Sequence, residues 1–126
     1  MSSLKGNPEP SKEIWSHRDD ITLANPFGGI ARGWQVIDER LDHATSHYHD
    51  GRAIGFENFA TYMAPDLACI VEIEQYETKV AGREEIVPVA VRVTSIFRRE
   101  DSVWKLVHRH ADPGVSPQTA DSLVQQ

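Results

Sequence analysis

The chain has 126 residues, 40% of them apolar and 25% charged, and a net charge of −6. That length fits one domain able to bury its own core, and the acidic balance argues against nonspecific binding to nucleic acid or to an anionic membrane. One cysteine, Cys69, excludes an internal disulfide and a cysteine-based zinc cluster.

The polar start, MSSLKGNPEPSKE, lacks a signal-peptide core, and no apolar run reaches the length of a membrane span. A cytoplasmic protein is expected. Residues 1–8 read as flexible. NPEPSKEIW then predicts a short helix, since prolines are tolerated in a first turn. DDITLA reads as a short strand, and NPFGG after it is a strong turn signal. From about Gly33 to Tyr48 the chain is amphipathic. Trp34, Ile37, Leu41, Ala44 and Tyr48 recur at helical spacing, and Gly51 is the expected stop. Segments at about 52–63, 66–79, 84–99 and 103–111 are rich in β-branched and aromatic residues and are joined by short turns, which predicts an antiparallel meander. The order helix, strand, helix, then strands indicates an α+β domain over 9–112, with 113–126 as a loose tail.

Alternation along the strands sorts the side chains by face. Val87, Val89, Val91, Val93, Ser95 and Phe97 share one face of the third long strand, with Arg92 on the other. Leu67, Cys69, Val71 and Ile73 form an apolar face, opposite Glu72, Glu74 and Tyr76, and Cys69 is expected to be a buried, inert thiol. On this reading Arg92, Glu72 and Glu74 belong to a solvent or interface surface, where the glutamates can pair Arg92 or Arg109 across strands. Trp104, Leu106, His108 and His110 line up together in the last strand. If that row faces inward, it carries two imidazoles into an apolar hollow.

Three stretches, IWSHRDDITLANPFGG, RGWQVIDERLDHA and VRVTSIFRREDSVWKLVHRHAD, resemble the SnoaL-like branch of the nuclear transport factor 2-like superfamily. The most specific part is Trp-x-x-Val-His-x-His, here Trp104, Val107, His108 and His110. The resemblance implies a cystatin-like cone: a bent antiparallel sheet wrapped around N-terminal helices, with a pocket in its mouth and usually a homodimer. The first helix here is shorter than the family norm. Asn25 stands where the ketosteroid isomerases of the superfamily carry a proton-abstracting aspartate, and a carboxamide cannot act as that base.

The candidate acid–base groups are His110, His108, His17 and Asp20, since a histidine titrates near neutrality and an aspartate can fix its tautomer. The plainer reading makes the first two wall histidines and the others a capped helix end with a surface ion pair. Trp15, Asn25, Phe27, Trp34, Phe56, Phe97 and Trp104 are candidate pocket lining, although aromatics are more often core. His43 and His47 have zinc-clamp spacing, but the helical wheel turns both away from the apolar stripe, and no metal or cofactor is expected. Three function classes follow: a cofactor-free isomerase, cyclase or dehydratase acting on a small apolar molecule, a non-catalytic binder of such a molecule, and a homo-oligomeric assembly module.

Overall fold

The computed structural model describes residues 9–26, 28–80, 85–117 and 120–123; Phe27 and the expected flexible start at 1–8 lie outside the described residues. Helix α1 spans Glu9–Ile14, strand β1 Thr22–Ala24, strand β2 Ala31–Arg32 and helix α2 Trp34–His47. Four long strands follow: β3 Tyr48–Met63, β4 Leu67–Val80, β5 Ile86–Glu100 and β6 Val103–Asp112. Within the segment expected to be a loose tail, Ala120–Leu123 form a short 3-10 turn.

The strands make one curved, unclosed sheet in the order β2-β1-β6-β5-β4-β3. The β3–β6 meander is antiparallel, as the short turns require. The sheet is not wholly antiparallel, however, because β1 pairs parallel with β6. Such a pairing needs a crossover, and the chain from β2 through β5 supplies it.

Gly33 sets the entry to α2. Its φ is 86°, a left-handed value that favours glycine, and a Cβ there would lie 3.5 Å from the Asp19 carbonyl oxygen. The helix ends earlier than Gly51 predicts, giving way to β3 at Tyr48. Gly51 instead lies where the β3–β4 register slips between His49 and Arg52, a usual place for glycine in a strand. Two further slips in β3 leave Ile54 and Phe59 unpaired. Bulges of this kind bend a strand and increase its twist.

Ile37 from α2 meets Leu23, Ala31, Leu106, Trp15 and Ile21, with Trp34, Leu41, Phe97 and Val107 packed around them. This cluster identifies the helix-covered, or inner, face. A second cluster of Tyr76, Val91, Val93 and Ala111 continues along the same face. Two polar clips fasten the segment from Lys12 to Ser16. Lys12 bridges Asp38 and Asp42 of α2 at 2.7 and 2.9 Å. Ser16, buried, donates its hydroxyl to Glu100 at 2.8 Å. Among the described residues, no helix is long and apolar enough to cross a membrane.

Candidate functional site

Directly paired residues of neighbouring strands share a face, so the register decides which side each group faces. Phe97 pairs with Leu106, but Ile96 pairs with His108, so Val107 is an extra residue in β6. This bulge reverses the alternation. Leu106 faces inward with Phe97, while His108 and His110 face outward with Ile96, Thr94 and Thr22. The expectation that both histidines continue the inward row of Trp104 and Leu106 is thus corrected. The inward residues beyond the bulge are Arg109, paired with Leu23 and Ser95, and Ala111, paired with Val93.

Strand β4 also presents the reverse of its expected faces. Glu72 pairs with Val93, Glu74 with Val91 and Tyr76 with Val89, which puts both glutamates on the inner face with the valine row. Leu67, Cys69, Val71 and Ile73 face outward with Arg98, Ile96, Thr94 and Arg92. Hydrophobicity misleads here because a counter-charge compensates the buried carboxylate. Arg109 reaches across β5 and donates from Nη2 to Glu74 Oε1 and Oε2, both at 3.2 Å. Glu74 is buried, with only 7% of its side chain exposed. Glu72 makes no hydrogen bond or ion pair among the described residues. Burial, and then the charge of Glu74, push its carboxyl above the ordinary range, with Arg109 opposing them.

The inner face therefore holds a polar group of two carboxyls and one guanidinium set among valines. Buried Tyr76 and Ser95 lie on the same face. Phe56, 54% exposed, pairs with Glu74, and Asn58 pairs with Glu72. Chemically the trio offers a carboxyl poised to exchange a proton beside an ion pair that fixes the local charge. Sequence reasoning placed Glu72 and Glu74 on a solvent or interface surface with Arg92 or Arg109 as cross-strand partners; the Arg109–Glu74 pair forms, but on the inner face. The signal that marks them is glutamate at i and i+2 within a strand whose neighbour is valine-rich.

The histidines and aspartate expected to converge are dispersed. Thr22 Oγ1 and His108 Nδ1 are 2.8 Å apart on the outer face. Burial, and then His110, lower the His108 pKa. His110 Nε2 lies 3.0 Å from Asp112 Oδ2, and Arg92 holds Asp112 through Nε and Nη2, both at 2.9 Å. His17 stacks on Trp34 with ring centroids 3.9 Å apart, and its Nε2–H donates to the Lys12 carbonyl at 3.1 Å. Asp20 accepts two bonds from Arg98, at 2.7 and 3.0 Å, and Arg98 also donates to Glu100. The Arg98 bonds lower the Asp20 pKa.

The expected lining divides similarly. Trp15 is 2% exposed and belongs to the core, bridged to Leu106. Trp34 and Phe97 pack against that core. Half-buried Trp104 lies under the Arg99 guanidinium at 5.2 Å. Asn25 is half-buried, and its carbonyl closes the turn to Gly28. Phe56 stands nearest the glutamates in register. The side chains of His43, His47 and His49 lie outside the described residues.

The sequence model for the SnoaL-like domain matches residues 11–115. No curated protein matches the chain. Solved structures resemble it at low identity. A candidate dehydratase of the NTF2-like family from Streptomyces avermitilis is 16% identical, with a TM-score of 0.75 over 91% of this chain and 87% of that one. A ketosteroid isomerase-like protein from Erwinia carotovora is 14% identical, with a TM-score of 0.74 over 92% and 87%. A candidate calcium/calmodulin-dependent protein kinase II association domain from Thiobacillus denitrificans is 16% identical, with a TM-score of 0.69 over 86% and 82%. At these identities the likeness establishes the fold.

Proposed function

We propose, since the chain belongs to the SnoaL-like domain family, that the inner face of its sheet binds a small, mostly apolar molecule and moves a proton on it without a cofactor. Isomerisation, cyclisation and dehydration are the reaction classes that need only such a step. The observation that carries this reading is Glu72. A half-buried carboxyl with no partner among the described residues, raised by burial and a neighbouring carboxylate, is costly to maintain in a merely structural role. It is suited to donating or accepting a proton at a substrate oxygen or carbon. Arg109 and Glu74 set the charge around it, and Phe56 and the valine row supply apolar contact. Similarity to a candidate dehydratase and to a ketosteroid isomerase-like protein supports the class.

This reading moves the chemistry from His110, His108, His17 and Asp20 to the glutamates across the sheet. A titration of the glutamate side-chain carboxyls by NMR, with and without the neutral probe 2-naphthol, tests it. The expected result is a Glu72 resonance that titrates above the other glutamates and shifts when the probe binds. A Glu72 that titrates normally and ignores the probe overturns the reading.

A second reading concerns the opposite face, where Cys69, Val71, Ile73 and Ile96 form an apolar patch flanked by Leu67 and Tyr62, which are 49% and 63% exposed. Pairing of two copies over this patch gives a homodimer, and similarity to a candidate association domain supports self-assembly. Sedimentation velocity decides it: the Val71→Glu variant shifts a dimer boundary to monomer, and a monomeric parent chain refutes it.

A further inference from the structure

The bulge at Val107 brings together a second set of groups, on the face opposite the glutamates, where His108 pairs with Ile96 at the edge of the apolar patch. We propose that His108 and His110 chelate a divalent first-row transition metal ion, of the class of zinc, nickel or copper.

The two rings leave one strand on the same side at i and i+2. That spacing separates their backbones by about 6.7 Å, a gap two imidazoles close around one ion with metal–nitrogen bonds of roughly 2.0–2.1 Å. Each ring also has one nitrogen anchored by oxygen. His108 uses Nδ1 toward the Thr22 hydroxyl at 2.8 Å, and His110 uses Nε2 toward the Asp112 carboxylate at 3.0 Å. With Nδ1–H donated to Thr22 and Nε2–H donated to Asp112, the lone pairs left for a metal are on His108 Nε2 and His110 Nδ1. Neither atom has a bonding partner among the described residues.

Ligating imidazoles are ordinarily held in this way, with the second nitrogen donating to a hydroxyl, carbonyl or carboxylate that fixes tautomer and ring angle. The carboxylate here is itself fixed by two Arg92 bonds and by the Gly114 amide at 3.0 Å. It thereby neutralises the nearest cation. Half of the His110 side chain is exposed, at 51%, which leaves a path from solvent. Among the described residues no group of three histidine, cysteine or acidic ligands is assembled to hold a metal, so water or another small ligand completes the coordination.

The test is zinc chloride titrated into the full chain carrying His43→Gln, His47→Gln and His49→Gln, which removes competing histidines. Ring nitrogens are followed by NMR and affinity by calorimetry. The expected result is one ion per chain with shifts at His108 Nε2 and His110 Nδ1. Affinity should fall at least about tenfold in His108→Asn or His110→Asn, and about tenfold in Thr22→Val, with recovery in Thr22→Ser. Zinc that shifts neither ring overturns the proposal, as does an affinity unchanged by both asparagine variants in chains whose circular dichroism remains native. The ring shifts in the parent chain decide the matter even if a variant fails to fold.

Discussion

Replacing Arg109 with Met should destabilise the chain by about 3 kcal/mol while keeping most of the side chain's packing volume. Arg109 meets both oxygens of Glu74 at 3.2 Å, and Glu74 retains only 7% of its side-chain exposure. At that distance and an effective dielectric near 20, the attraction is roughly 5 kcal/mol. Removing one member of a buried pair typically costs about 3–5 kcal/mol, because the other charge is left uncompensated. The guanidinium is 21% exposed, so water relieves part of that cost and the lower end is expected. Glu72, close by on the same face, adds a like charge. Urea denaturation at pH 7 measures the change. The double variant Glu74→Gln with Arg109→Met should be more stable than the sum of the single losses by at least about 1 kcal/mol. A single loss below about 1 kcal/mol, or additive losses, would refute the inward placement of this pair.

Glu72→Gln should raise stability at neutral pH, with the gain fading in acid. A carboxyl raised in the folded state is accommodated when protonated and penalised as pH rises through its folded pKa; a flat difference across a pH series of melts would contradict this. Arg98 holds Asp20 below the ordinary carboxylate range and, with Ser16 and against the opposing effect of burial, does the same for Glu100, while Arg92 does so for Asp112. Their stabilisation is therefore complete above the unfolded pKa near about pH 4 and is lost as pH falls through the folded values. Ser16→Ala should cost about 2 kcal/mol, read by denaturation, since it removes a hydrogen bond to a largely buried carboxylate. Ser102→Gly should stabilise by about 1 kcal/mol in the same assay, because Ser102 sits at φ 68° in the two-residue turn between β5 and β6.

The strands and the long helix were legible because their signals are periodic. The valine row of β5, the Trp34–Ile37–Leu41 stripe and the turn at 101–102 each specify local structure directly. β2 was not legible, since two residues carry no period. The two errors of face have separate causes. In β4 the apolar alternation is real, but its oily side faces outward, and an ion pair formed across another strand compensates Glu74 within. In β6 the reversal depends on one extra residue, Val107, a β-branched residue that looks at home in any strand. Glycine marked a slip at Gly51 in β3, but nothing comparable marks this one.

Strand sidedness is a parity count, and Val107 makes the count odd. A homologue one residue shorter between the β5–β6 turn and the His-x-His letters would deliver the same two imidazoles to the opposite compartment without changing either. Transferring a histidine's job from one such protein to another by matching letters is therefore safe only after the residues of the intervening ladder have been tallied. Evolution could move this chemistry from one side of the sheet to the other by a single codon insertion or deletion.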